Sequence, residues 1–391
     1  MKIAILGLGT VGSGVDQIIA AGQTGFTQAL EVSKIFVRPS KVDLDPRMTA
    51  NYDDILNDSS IELVVETLGG LEPSHDMIVQ ALKHGKNVVT ANKAVVARHI
   101  QEFTQLAKAN HVKFYFESAV GGGIPWIINL ERTLRIDEID SIHGIFNGTS
   151  NFILDQMTKT GASFESILKE AQDLGYAEAD PSADIDGYDI ENKLCISVDI
   201  AYDTVVEPGD ELLKFGIRNV TAADIAYFKA HGWVVKLLGR SFRKNNRFSF
   251  VIEPTLFAPG QIEAGVHDNY NYVGLRGTTI GKLTFNGQGA GMFPTAHALV
   301  QDIIDVAIDQ VHLPREFNQT LQLDNATKSR DYIVRTPVDL AKLLPDYQVT
   351  QDGDYWLVKN INTAVMHQTV AQLDGKPFLA CINGGSRNES R

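Results

Sequence analysis

One lysine follows a run of acids. Between Glu178 and Glu191 the chain carries six carboxylates, Glu178, Asp180, Asp184, Asp186, Asp189 and Glu191, and Lys193 comes just after them. Ile190, Leu194, Ile196 and Val198 begin an apolar run, so Lys193 is expected at the edge of a core with acids around it. Such a setting tunes an amine for proton transfer. It also suits the holding of a substrate's ammonium group by carboxylates. The plainer reading is a solvated acidic loop, with Asp189 and Lys193 as an ordinary i,i+4 pair at a helix start. The stretch alone leaves both open.

A second chemistry sits at the N-terminus. Gly7-Leu8-Gly9-Thr10-Val11-Gly12 is a G-x-G-x-x-G between an apolar strand pattern and a helical one. In that context the motif reads as a dinucleotide site. Gly7 allows the tight turn, Gly9 lets a pyrophosphate approach the backbone, and Gly12 permits close helix packing. The helix start offers amide donors and a favourable dipole. The end of the second strand selects the cofactor. NAD sites expect an acid there, but the chain reads Val37-Arg38-Pro39-Ser40-Lys41, with no acid before Asp43. Arg38, with Lys41 and Ser40, suits a 2′-phosphate, so NADP is favoured.

The elements that must position these residues follow from periodicity. Strands are predicted at 2–6, 32–37, 61–67, 87–90 and 113–116, with helices at 10–21, 73–84 and 94–109. This alternation predicts an α/β fold with a Rossmann-type, doubly wound parallel sheet. After Pro125 the pattern changes to α+β. Strands at 140–146 and 248–253 are separated by helices at 163–174, 190–202 and 222–231. A long helix at 295–310 is expected to pack back on the first domain. The last sixty residues read as a separate βαββαβ, ferredoxin-like module. The expected domains are 1–125 for the dinucleotide, 126–290 for substrate and dimerisation, 291–330 for the return helix, and 331–391 for the tail.

Bulk properties narrow the function classes. The chain has 391 residues, 44% hydrophobic and 21% charged, with a net charge of −13. That balance disfavours nucleic acid as a partner. No apolar stretch of about twenty residues exists, so no membrane span is expected. Cys195 and Cys381 are the only cysteines, which excludes a disulfide scaffold and fits a cytoplasmic location. Asn147-Gly148-Thr149 matches a glycosylation acceptor but reads better as a turn feeding a helix.

Several segments together resemble the homoserine dehydrogenase family over residues 1 to about 330. They are the glycine motif at 7–12, Glu-Thr-Leu-Gly-Gly at 66–70, Val-Thr-Ala-Asn-Lys at 89–93 and Glu-Ser-Ala-Val-Gly-Gly-Gly-Ile-Pro at 117–125. Phe-Asn-Gly-Thr-Ser-Asn-Phe-Ile-Leu at 146–154, Gly-Tyr-Ala-Glu-Ala-Asp-Pro at 175–181 and Gly-Gln-Gly-Ala-Gly-Met-Phe-Pro-Thr-Ala at 287–296 complete the set. The resemblance implies reversible reduction of L-aspartate 4-semialdehyde to L-homoserine with a nicotinamide cofactor, usually NADP. It implies Lys193 as the acid/base group, with Lys93 near the reacting centre. Gly175, Glu178, Asp184 and Asp189 would contact the substrate. Gly7, Gly9, Thr10, Val11, Gly12, Arg38, Thr67, Lys93 and Gly289 would serve the cofactor. Glu117, Val120, Gly122 and Ile124 resemble the family's monovalent cation site, for Na⁺, bracing the joint between domains. A homodimer or homotetramer acting on a small-molecule substrate is implied.

The tail departs from the family's ACT pattern, since Arg335-Thr336-Pro337-Val338-Asp339 lacks the usual glycine. A reduced ACT-like module, weak or absent inhibition by threonine, and a core that folds without the tail are expected. The alternatives weighed are another NAD(P)-dependent amino-acid dehydrogenase and a non-catalytic NADP-binding sensor.

Overall fold

In the first unit the apolar N-terminal strand forms the centre of a parallel sheet. The computed structural model describes residues 1–313 and 316–384. Its chain falls into two compact units, the first being Met1–Glu138, Cys195–Pro208 and Gly287–Gln319. Strands β1 (Lys2–Leu6), β2 (Glu31–Phe36), β3 (Met48–Thr49), β4 (Ile61–Glu66), β5 (Asn87–Thr90) and β6 (Phe114–Tyr115) align in the order β3-β2-β1-β4-β5-β6. Every pairing is parallel. This is the doubly wound order in which the carboxyl ends of β1 and β4 open a crevice for a ligand. Helices Thr10–Ala21, Ser74–Lys83 and Lys93–Ala109 connect the strands, close to the predicted spans.

The late helix packs on this unit, as its apolar stripe predicts. It runs Met292–Ala307, starting three residues before the expected Thr295. Its Ala296, Leu299, Val300 and Ile303 join Ile3, Ile5, Val15 and Ile19 in one core. Gly14 makes this close approach possible. A Cβ there would lie 2.8 Å from Ala296 Cβ and 3.0 Å from Met292 O.

The second unit, Ile139–Leu194, Gly209–Asn286 and Thr320 onward, is built on a mixed sheet of eleven strands. They are β7 (Ile139–Ile145), β8 (Leu213–Lys214), β9 (Val234–Lys244), β10 (Arg247–Phe257), β11 (Tyr270–Gly277), β12 (Gly281–Gln288), β13 (Gln322–Leu323), β14 (Ser329–Arg335), β15 (Gln348–Asp352), β16 (Tyr355–Asn362) and β17 (Phe378–Ile382). The path is β12-β11-β7-β9-β10-β17-β14-β16-β15, with β8 and β13 also on β10. β10 runs four residues past the expected end at Glu253, straight through Pro254. On one side Pro254 faces Leu237 of β9. On the other, β17 begins to pair only at Thr255. A proline is tolerated in a strand where no ladder bond needs its missing N–H. β9 was not singled out from sequence because Lys236 and Arg240 interrupt its apolar pattern, yet both are buried.

The tail has the expected βαββαβ order. Its strands lie β17-β14-β16-β15, antiparallel throughout. It does not stand as an independent sheet, however. β17 pairs parallel with β10 at Thr255↔Cys381 and Leu256↔Ile382. The outer edge of β17 carries backbone groups that need partners, and β10 supplies them.

Candidate functional site

Lys193 lies in the helix Tyr188–Tyr202 and is 6% exposed. Its Nζ donates to Asp189 Oδ2 at 2.8 Å and to Phe146 O at 2.7 Å. The i,i+4 pair of the plainer reading is therefore real, but it is buried. The chain places the lysine there because Ile190 and Leu194, on the same helix, are fully buried. Phe146 O also accepts from Asn271 Nδ2 at 2.8 Å. Asn147 completes the group. Its Nδ2 donates to Asp184 Oδ1 at 2.7 Å and to Asp189 Oδ2 at 2.9 Å. Its Oδ1 accepts from Ser150 N and so caps the helix Gly148–Thr160. One side chain thus sets a helix start and ties two carboxylates together.

The other acids of the run have different uses. Asp180 accepts from Ser182 within a local turn, and Asp186 pairs with Arg218. Glu191 is buried and pairs with Lys214. Glu178 and Gly175 are exposed, and it is the Glu178 carbonyl that accepts from Gln172. The structure joins Asp184, Asp189 and Lys193 in one network and leaves Glu178 outside its hydrogen bonds.

The glycine motif forms a cradle in the first unit. Gly7 has φ +93°, a conformation that a side chain would strain. A Cβ on Gly12 would sit 2.1 Å from Gly7 O and 2.8 Å from Thr67 Oγ1. The space over Gly9 is open, and the helix that begins at Thr10 has no side-chain cap. Its first amides are available to an anion. Thr67 acts on the turn itself, donating to Leu6 O and Gly7 O at 2.9 and 2.8 Å. Arg38 is exposed just beyond β2, followed by a 3₁₀ turn over Pro39–Leu44. Lys93 opens the helix after β5, next to Asn92, which caps it. These residues fit a dinucleotide.

The turn expected to hold a cation is engaged in packing. Both carboxylate oxygens of Glu117 accept at 2.8 Å, from Ile127 N and Ile128 N, at the start of the helix Ile127–Thr133. Burial pushes this carboxyl up to about 7, although those amide bonds oppose the shift. Glu117 O accepts from Val120 N, and Ile124 O from Trp126 N. An ion here would use the remaining lone pairs of these oxygens together with the carbonyls of Val120 and Gly122. Gly122 has φ +58°, and a Cβ there would lie 2.5 Å from the Gly289 carbonyl carbon. The turn and the late glycine loop are therefore in direct contact.

Comparison with known proteins adds a family. The homoserine dehydrogenase family model matches residues 125–304, and the homoserine dehydrogenase NAD binding domain matches 7–117. The chain is 43% identical over 317 residues to the homoserine dehydrogenase of Synechocystis sp., covering 78% of this chain and 73% of that one. The chain belongs to the homoserine dehydrogenase family. It is also 34% identical to the homoserine dehydrogenase of Corynebacterium glutamicum, across 99% of this chain and 95% of that one. A solved homoserine dehydrogenase from Thiobacillus denitrificans superposes with a TM-score of 0.85 at 32% identity, covering 98% of both chains. A hyperthermophilic archaeal homoserine dehydrogenase in complex with NADPH superposes with a TM-score of 0.68 at 26% identity, covering 80% of this chain and 99% of that one. The chain is thus an oxidoreductase acting on a CH–OH group.

For a homoserine dehydrogenase, sequence reasoning singled out the lysine and the acids, read Asn147 only as a turn feeding a helix, and missed Asn271. The signal for Asn147 was present, because an asparagine before Gly148-Thr149-Ser150 is a strong N-cap. Asn271 carried no comparable local signal.

Proposed function

We propose that Lys193 is the acid/base group of a reversible, NADP-dependent interconversion of L-aspartate 4-semialdehyde and L-homoserine. The observation that supports this most is the buried Lys193 ammonium held between Asp189 and Phe146 O. The nicotinamide cofactor supplies or accepts the hydride. Lys193 donates a proton to the substrate oxygen as negative charge develops there, and it takes the hydroxyl proton in the reverse direction. Asp189 and Asp184, clamped by Asn147, offer charge-assisted hydrogen bonds to the substrate ammonium, and Glu178 and Gly175 would complete that contact. Lys93 places a second positive charge near the developing anion. Gly7, Gly9, Thr10, Val11, Gly12, Thr67 and Gly289 hold the dinucleotide, and Arg38 holds its 2′-phosphate. Na⁺ would sit at Glu117, Val120, Gly122 and Ile124.

The reading carries the functional division 1–125, 126–290, 291–330 and 331–391, a homo-oligomer of two or four chains, and a cytoplasmic location. Two variants test its core. Lys193→Met should lower kcat by roughly two to four powers of ten while NADPH affinity holds. A loss of less than tenfold would sink the role. Arg38→Ala should weaken NADPH by roughly ten- to a hundredfold and spare NADH, because a charged contact is worth about 1.5–3 kcal/mol. Equal losses for both cofactors would refute the 2′-phosphate assignment.

A further inference from the structure

Two histidines and a glutamate meet in the first unit, and none of them is assigned to the dehydrogenase reaction. His99 and Glu102 stand at i and i+3 of the helix Lys93–Ala109, so they share one face. His75 lies in the first turn of the helix Ser74–Lys83. Its Nε2 is 2.9 Å from Glu102 Oε2, and His99 Nδ1 is 3.3 Å from the same oxygen. One ligating atom from each of the three residues lies within 4.8 Å of the other two. Zinc bonds of about 2.0–2.2 Å set tetrahedral ligands about 3.3 Å apart, so little movement is needed.

Two further observations favour an ion. The first is that the rings are held in place. Phe103, fully buried, packs against both imidazoles with centroids 5.6 and 5.7 Å away, and the imidazoles lie 4.3 Å from each other. Ligands ordered beforehand leave less entropy to be lost on binding. The second is the other nitrogen of His75. Nδ1 is 3.1 Å from Asp76 Oδ1 and 3.8 Å from Glu72 Oε1. With the proton on Nδ1 and donated to Asp76, the Nε2 lone pair faces Glu102 and His99. A carboxylate behind a histidine in this way fixes the tautomer and raises the basicity of a metal-binding nitrogen. The surroundings also welcome positive charge. Burial lowers the pKa of His75, but its bonds to Glu102 and Asp76 outweigh this and raise it. A metal ion can take the place of that proton.

We propose that His75, His99 and Glu102 form a binding site for a divalent transition-metal ion of the zinc type, with water completing the coordination. Imidazole with carboxylate suits Zn²⁺, whereas Mg²⁺ demands an octahedron of oxygens. The ion clamps the helix Ser74–Lys83 to the helix Lys93–Ala109. Ser74 Oγ already ties the first of these to Glu66 at the end of β4. The clamp therefore braces the segment 67–73 between them, whose Thr67 holds the glycine turn through Gly7 O.

The test strips the full-length protein with a chelator and titrates ZnCl₂ against a chromogenic zinc indicator. The wild type should bind one equivalent with a dissociation constant below ~10 µM and should ignore Mg²⁺ at ~1 mM. His75→Gln/His99→Gln should raise that constant at least ~100-fold, since two ligands are lost. Zn²⁺ should raise the melting temperature of the wild type and not of the variant, because an ion bound to the native state stabilises it by mass action. If the double variant fails to fold, Glu102→Gln at its exposed position makes the same comparison, with a loss of at least ~10-fold. No equivalent tighter than ~100 µM in the wild type would overturn the proposal. Unchanged binding in the variants would overturn it too, moving the ion to another group such as Asp302, Asp305 and His312.

Discussion

Asn147 uses both ends of one amide. Its oxygen caps a helix while its nitrogen spans Asp184 and Asp189. These uses can be separated. Asn147→Ser keeps a good capping group, so stability should stay within about 0.5 kcal/mol by urea unfolding. Serine cannot reach both carboxylates, and losing these charged hydrogen bonds should lower kcat/KM for homoserine about ten- to a hundredfold. Wild-type kinetics would reduce Asn147 to architecture. Lys236 tests burial itself. Its side chain is fully buried, and desolvation pushes its pKa down to about 8, with Asp155 opposing the shift. The folded state binds the proton less tightly than the unfolded one. The stability this provides is therefore present above about pH 10.5 and is lost as pH falls through about 8. Across that window wild-type stability should rise with pH, relative to Lys236→Met, by up to ~3 kcal/mol. Parallel urea midpoints for both proteins against pH would remove the claim.

Among the elements, close approach decides the geometry. The helix Thr10–Ala21 carries the dinucleotide turn, and the helix Met292–Ala307 packs on it through Gly14. Gly14→Ala should cost about 1–3 kcal/mol through overpacking, measured by urea unfolding. Gly25→Ala is the control, because nothing lies within 4 Å of the added Cβ. Equal stability of the two variants would show that the helices can shift apart freely. Glu66 illustrates another link between sequence and geometry. Fully buried at the end of β4, it accepts from Leu68 N, Gly69 N, Ser74 Oγ and Thr90 Oγ1. The Glu-Thr-Leu-Gly-Gly segment was legible as a motif, whereas its role as a hydrogen-bond hub depends on strand β5 arriving beside it.

For the whole molecule, the tail is the point of revision. The sequence pattern gives a core that folds without residues 331–391. In the structure, removing them strips β14 to β17 from the sheet and leaves the end of β10 paired on one edge only, with β9. It also uncovers Glu253, which accepts from His367 Nε2 at 2.7 Å and from Tyr332 OH at 3.3 Å. Burial raises the carboxyl of Glu253, but Arg240 and His367 outweigh it and hold the group at about 2. A truncated chain ending at 330 should therefore be largely insoluble or melt well below the full-length protein, as solubility and thermal scans would reveal. A soluble truncation with an unchanged melting temperature would restore the independent core. Full-length enzyme should still show weak or no inhibition by threonine, read from initial rates, because the ligand-loop glycine is missing.

The sequence by itself determined the parallel sheet, the glycine cradle, the i,i+4 pairing of Asp189 with Lys193 and the family, while leaving open whether that pair is buried or solvated. These rest on local patterns: short apolar runs, a strand–glycine–helix order, and an i,i+4 spacing that the helix preserves. Only the tertiary structure decided that this pair is buried and that Asp184 joins it, since Asn147, far away in the chain, donates to both Asp184 and Asp189. It also decided that Glu117 caps a helix and that the tail extends the sheet. The physical reason is the same in each case. Hydrogen bonds and charge pairs between distant segments leave no period in the sequence, and their partners are chosen only when the strands have found their neighbours.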